Sequence, residues 1–164
     1  MDGLVIGLDL NDEYTQISCY GKEISWTIPT VICRKKEEEI WLTGEEAYAA
    51  TLLGEGVIVD KLLKMVQKEG TSTIGGVCYT GALLLRIFLQ QVLEYPLKEE
   101  GKKTVSQLVV TMQEMDARLT DTLMYCADAM GISRDSPCDQ SHRKLCILCA
   151  EPETGALVQS GRAV

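Results

Sequence analysis

The chain has 164 residues, 46% hydrophobic and 24% charged, which is enough to bury a core in one or two domains and too apolar for a disordered chain. Its 16 Lys and Arg stand against 24 Asp and Glu, and the formal charge of -8 repels phosphate backbones and anionic lipid faces, arguing against a nucleic-acid partner. The longest apolar stretch, around Gly81–Leu85 and Ile87–Leu89, is broken by Arg86 and falls far short of the roughly 20 residues of a membrane span.

The opening MDGLVIGLDL carries Asp2 and Asp9 where a secretory signal has a basic start, so a cytoplasmic protein with no membrane partner is expected. Leu4–Leu10 and Tyr14–Tyr20, joined by the polar turn Asn11-Asp12-Glu13, predict a β-hairpin. In EISWTIPTVICR a third strand is expected to run on past Pro29, with its pairing shifted or at a sheet edge there. The charge run Lys35–Glu39 reads as a solvated turn between Val31–Arg34 and Ile40-Trp41-Leu42. From Gly44 the pattern turns helical, with Glu45 and Glu46 at the positive end of the dipole and Gly54 beyond its end. Val57–Val59 is strand-like and leads into a helical segment carrying Lys61, Lys64 and Lys68 along one side, closed by Gly70. Thr71–Thr80 fits a strand or a loop. Gly81–Tyr95 predicts an amphipathic helix stopped by Pro96, and Lys98–Lys103 a charged linker. Val105–Met112 predicts a buried strand, and Asp116–Met130 a helix with Gly131 as its C-cap. Strands followed by a helix–strand–helix series predict a mixed α/β layer around one sheet of about five strands.

The sharpest chemical signal is Gly7-Leu8-Asp9-Leu10-Asn11-Asp12-Glu13-Tyr14, a buried strand that delivers a carboxylate and then turns tightly. A carboxylate at a strand end can hold hydrated Mg²⁺, and turn amides can cradle a phosphate, although an Asp there is also an ordinary turn former. Together with IPTVICRKKEEEIWLTGEEAYAA, VDKLLKMV and QLVVTMQEMDARLTDTLMYCADAMGI, in that order, this stretch resembles the ATPase superfamily of actin, DnaK-type heat-shock chaperones and sugar kinases. The resemblance covers about Val5 to Ile132 and implies an actin-like, ribonuclease H-like N-terminal lobe. By that resemblance Asp9 is the Mg²⁺-water carboxylate, Asn11, Asp12, Glu13 and Tyr14 form the phosphate clamp of ATP, and Lys61 is the phosphate-facing lysine, with Lys64 as its substitute if the register slips. Against it, Lys61 also reads as an exposed helix lysine.

Two departures follow. The superfamily usually has Gly and Thr in the turn, whereas Asp12 and Glu13 add carboxylates that would repel a triphosphate by a few kcal/mol unless they point away. A second phosphate loop of the D-x-G-G-G-T kind is not found after Ile132. The expectation is therefore one incomplete lobe, inactive in hydrolysis alone, which binds nucleotide together with a missing second lobe or a partner protein and associates with itself through an exposed apolar face. The competing reading is a non-catalytic interaction module on the same architecture, and the Asp12–Glu13 pair separates the two.

Residues 1–134 form the expected lobe and 135–164 an irregular tail. The seven cysteines do not form a secreted disulfide framework, and Cys19, Cys33, Cys78 and Cys126 read as buried thiols. Within the tail, Cys138, His142, Cys146 and Cys149 offer a Cys₃His set for zinc, with an upstream spacing tighter than usual. The tail also admits a frameshift near Asp135, because permissible codons for Asp139–Val164 read one base further on can spell ISHTGNFVYYALSQKPELWSKADVL, a strand, turn and apolar helix in superfamily style.

Overall fold

A computed structural model describes residues 3–114, 116–132, 144–150 and 157–159. The apolar run β1 (Leu4–Leu10) turns back into β2 (Tyr14–Cys19) and then β3 (Ser25–Pro29), the antiparallel meander expected from their alternation. Across this meander Leu10, Leu8 and Ile6 of β1 pair with Thr15, Ile17 and Cys19 of β2, all buried on one face. Parallel to β1 on its other side lies β9 (Val105–Met112), whose Leu108, Val110 and Met112 join that face. With β10 (Lys144–Ala150) and β11 (Leu157–Gln159), the full order is β11-β10-β9-β1-β2-β3.

The strand expected to run past Pro29 instead stops there. Proline has no N–H to extend the ladder, and the chain bends through Thr30 and Val31 into β4 (Ile32–Lys35), which belongs to another sheet. The Thr30 amide donates to the Glu13 carbonyl at 3.0 Å, and the buried hydroxyls of Thr30 and Thr15 bond at 2.8 Å, fixing the bend. The second sheet has the order β5-β4-β6, with β5 (Trp41–Thr43) and β6 (Gly56–Val59), and the turn from Lys36 to Glu39 is exposed as expected. Helix α1 (Gly44–Leu52) covers this sheet with Ala47 and Ala50 against Val31 and Cys33.

Helix α2 (Leu62–Gln67) follows β6, and Thr71–Thr80 resolves into a β7 (Thr71–Ile74) and β8 (Val77–Thr80) hairpin turning at Gly75-Gly76. This hairpin is fastened by Tyr79, whose hydroxyl accepts from the Arg34 guanidinium at 3.1 Å while its ring meets Trp41 edge-on at 5.2 Å. Helix α3 (Gly81–Glu99) begins under the hydroxyl cap of Thr80, which accepts from the Leu83 amide. It is not stopped by Pro96. That residue is buried in the last turn, where the missing N–H forfeits one bond only, and the helix ends at Glu99, with Gly101 just past its cap in the left-handed region (φ 61°). Helix α4 (Ala117–Ala129) is capped by Asp116 and closed at Gly131 (φ 73°), where the Ile132 amide donates to the Ala127 carbonyl at 2.8 Å. The three helices α2, α3 and α4 share one core with the main sheet, centred on Phe88, Leu84, Leu85 and Leu119.

The tail is not wholly irregular. β10 (Lys144–Ala150) pairs in parallel with β9, and β11 (Leu157–Gln159) pairs antiparallel with β10.

Of the four cysteines expected to be buried, Cys19, Cys33 and Cys126 are, and Cys78 on β8 is exposed. Burial pushes the Cys126 thiol from near 9 up to about 11, and burial, with the nearby Glu100 charge, also raises Cys19. The unfolded chain releases the Cys126 proton from pH 9 upward while the folded chain keeps it, so stability present below pH 9 is lost as the pH climbs towards 11. We expect urea midpoints to fall between pH 8.5 and 10.5 by an amount equivalent to about 2 kcal/mol, and Cys126→Ala to flatten that fall.

Candidate functional site

The parallel neighbours β1 and β9 end side by side, and an open crevice beyond the carboxyl ends of such strands is where α/β sheets place ligands. Asp9 is the next-to-last residue of β1. Leu8 and Leu10 on either side of it are buried under the helices, so by strand alternation Asp9 belongs to the opposite, open face, where it is exposed. Its register partner on β9 is Thr111, whose hydroxyl lies 3.1 Å from Asp9 Oδ1 and 3.2 Å from the Leu8 carbonyl. That single proton serves one oxygen at a time, leaving most of the Asp9 lone pairs to solvent. Thr111 was not singled out in the sequence. The available signal was that both apolar runs, Leu4–Leu10 and Val105–Met112, carry a polar residue one place before their end.

The turn after β1 is closed by its own side chains. Asn11 Oδ1 accepts from the Glu13 and Tyr14 amides, each at 2.9 Å, a local bond typical of Asn in turns. Asp12 reaches much further along the chain: Oδ1 accepts from the Leu63 amide at 2.7 Å and Oδ2 from the Lys64 amide at 3.1 Å. A capping carboxylate satisfies helix amides that otherwise have no partner. Here the cap is supplied from 51 residues away, because the residue before α2, Lys61, adopts a left-handed backbone (φ 53°) and offers no side-chain cap of its own. Glu13 and Tyr14 are exposed.

The structure thus brings the Asn11–Tyr14 turn together with α2, although the link to Lys61 and Lys64 runs through backbone amides. Both lysine side chains are exposed. Asp9 and Asp12 are held on different elements, one by β9 and the other by α2. Beside the turn is a cleft of ≈ 160 Å³, with Asn11, Asp12, Gln67, Gln113 and Glu114 around apolar Leu10 and Met112. Ligand pockets that enclose a drug-sized molecule start at about 300 Å³, so this cleft could take only part of a nucleotide.

Of the zinc set, Cys138 and His142 lie outside the described residues. Cys146 and Cys149 occupy β10 positions paired with Val109 and Met112. Among the described residues no cluster of three His, Cys, Asp or Glu side chains could hold a metal, and no helix is long and apolar enough to cross a membrane.

The fold is similar to that of an actin-like protein, a non-polymerising mutant of MamK solved with AMPPNP bound. The TM-score is 0.61 at 16% identity, over 79% of this chain and 38% of that one. At that identity the likeness concerns the fold, and the chain spans well under half of that protein's length. No curated protein matches the sequence. Residues 13–147 match the C-terminal part of a family of unknown function, DUF5716, and with so much of its length matched the chain belongs to that family.

Proposed function

We propose that this chain is one lobe of an actin-like, ATP-binding protein, with Asp9 as its metal-water carboxylate and no hydrolytic activity by itself. The observation that carries this reading is Asp9, steadied by Thr111 at the ends of two adjacent parallel strands with most of its oxygen lone pairs open to solvent. Such a carboxylate suits a hydrated Mg²⁺, which keeps several waters and binds through one or two acidic groups. When bound, magnesium would neutralise charge on phosphate oxygens. The chain's own part is to hold the Asp9 carboxylate in place and to present Lys61 and Lys64 from the start of α2. The other wall of the site would come from a second lobe or a partner protein, since the cleft beside the turn is too small to enclose a nucleotide. A chaperone-like role for the whole belongs to the same proposal and rests on the likeness of the sequence stretches alone.

A second reading, an interaction module without nucleotide, is favoured by one observation: the Glu13 and Tyr14 amides are already taken by Asn11. Calorimetric titration with Mg-ATP decides between them. On the first reading the wild type binds weakly, and Asp9→Ala lowers the affinity about tenfold or more, the scale of one lost charge-assisted contact. Equal affinity in the two proteins would remove Asp9 from the site.

A further inference from the structure

The turn that would receive a phosphate is filled by oxygens of the chain itself. Asn11 Oδ1 takes the Glu13 and Tyr14 amides, and the two carboxylate oxygens of Asp12 take the amides of Leu63 and Lys64. On its far side the turn is tied to the bend after β3, where the Glu13 carbonyl accepts from Thr30. As it stands, the turn is a poor phosphate cradle, since its Glu13 and Tyr14 amides already have an acceptor.

Charge works in the same direction. Asp12 and Glu114 line the cleft, and Asp9 and Glu13 are exposed nearby in sequence. A polyphosphate approaching them meets repulsion that only a cation or the exposed Lys61 and Lys64 could offset. The Asp12 contact also fixes position. Because it joins residues 51 and 52 apart, it draws the turn against α2, and the turn cannot open outward while both bonds stand.

We propose that Asp12 is an autoinhibitory clasp: its carboxylate holds the β1–β2 turn shut on α2, and the crevice admits a nucleotide's phosphates only when that contact is released. This rests on the reading of the crevice as a nucleotide half-site, and it adds a regulatory contact to it. A second lobe or partner that draws Asp12 off α2 would then switch binding on. The clasp is built from neutral amides and one carboxylate, so removing the charge while keeping the shape weakens it. In Asp12→Asn the amide nitrogen would face a backbone donor instead of accepting from it.

The test is calorimetry of the full chain with Mg-ATP for the wild type, Asp12→Asn, Asp12→Gly and the double variant Asp9→Ala/Asp12→Asn, together with hydrogen exchange at the Leu63 and Lys64 amides. Expected are faster exchange at those two amides in Asp12→Asn, an affinity for Mg-ATP about tenfold above wild type from the removed charge, and loss of that gain in the double variant. Should Asp12→Gly fail to unfold cooperatively, the isosteric Asp12→Asn still decides. Faster exchange without any gain in affinity, while the wild type binds through Asp9, overturns the clasp and leaves the half-site reading standing. Absence of binding in every variant overturns both.

Discussion

Gly81→Ala is expected to destabilise the protein by about 3 kcal/mol or more, at the top of the usual range for overpacking a tight contact. Gly81 opens α3 and is buried. A Cβ placed on it would sit 2.8 Å from Met65 Cγ, 2.9 Å from the Met65 carbonyl carbon and 2.9 Å from the Val66 nitrogen. The Met65 side chain could rotate away, but the other two atoms are backbone of α2 and can move only with the helix. The Gly81 amide meanwhile donates to the Gly70 carbonyl at 3.0 Å, tying the start of α3 to the chain just after α2. Displacing α2 would also strain the Asp12 bonds at its other end. Urea denaturation should show the loss as a lower midpoint with an unchanged slope, and the neighbouring exposed position provides the control, with Ala82→Ser staying within about 0.5 kcal/mol of wild type.

Phe88→Ala is expected to cost about 3–5 kcal/mol, the range for removing a fully buried aromatic ring. Phe88 is the largest of the completely buried side chains, 0% exposed in the middle of α3, within the core shared by the helices and the main sheet. The neighbours that could close over a void are themselves constrained: Leu84, Leu85 and Leu89 are fixed to the same helix, while Ile6, Leu8 and Ile17 are held in the β1–β2 ladder. For a chain of this size the melting temperature should drop by roughly ten degrees. Phe88→Leu should lose about half as much, since it retains most of the apolar volume. A loss below about 1 kcal/mol for the alanine variant would mean that α3 does not pack on the sheet as described.

Local pattern carried much of the fold. The β1–β2 hairpin, the β9 strand and the Gly131 stop are legible because each depends on neighbouring residues: alternation, an apolar run, or a residue tolerant of positive φ. Pro96 misled because the cost of a helical proline depends on what remains after it, and with three residues left the packing of a long apolar face outweighs one lost bond. Pro29 misled in the opposite sense, since an uninterrupted apolar pattern passes straight through the point where the chain changes sheets. The site was legible as a composition but not as an arrangement. Asp9 and the turn stand out in the text, whereas Thr111 beside Asp9 and the α2 amides on Asp12 are partners more than 50 residues distant, and no local period marks them. The clasp of Arg34, Trp41 and Tyr79 is hidden for the same reason.

The place of β1 between β2 and β9 has a consequence for how the protein is made. During synthesis the β1–β2–β3 meander leaves the ribosome before β9, with one edge of the apolar strand Leu4–Leu10 unpaired. The strand that closes that edge arrives late, because Leu8 waits for Val110. At about 5–20 residues per second this leaves roughly 5–20 s in which a nascent chain carries an open, sticky ladder and depends on whatever shields it.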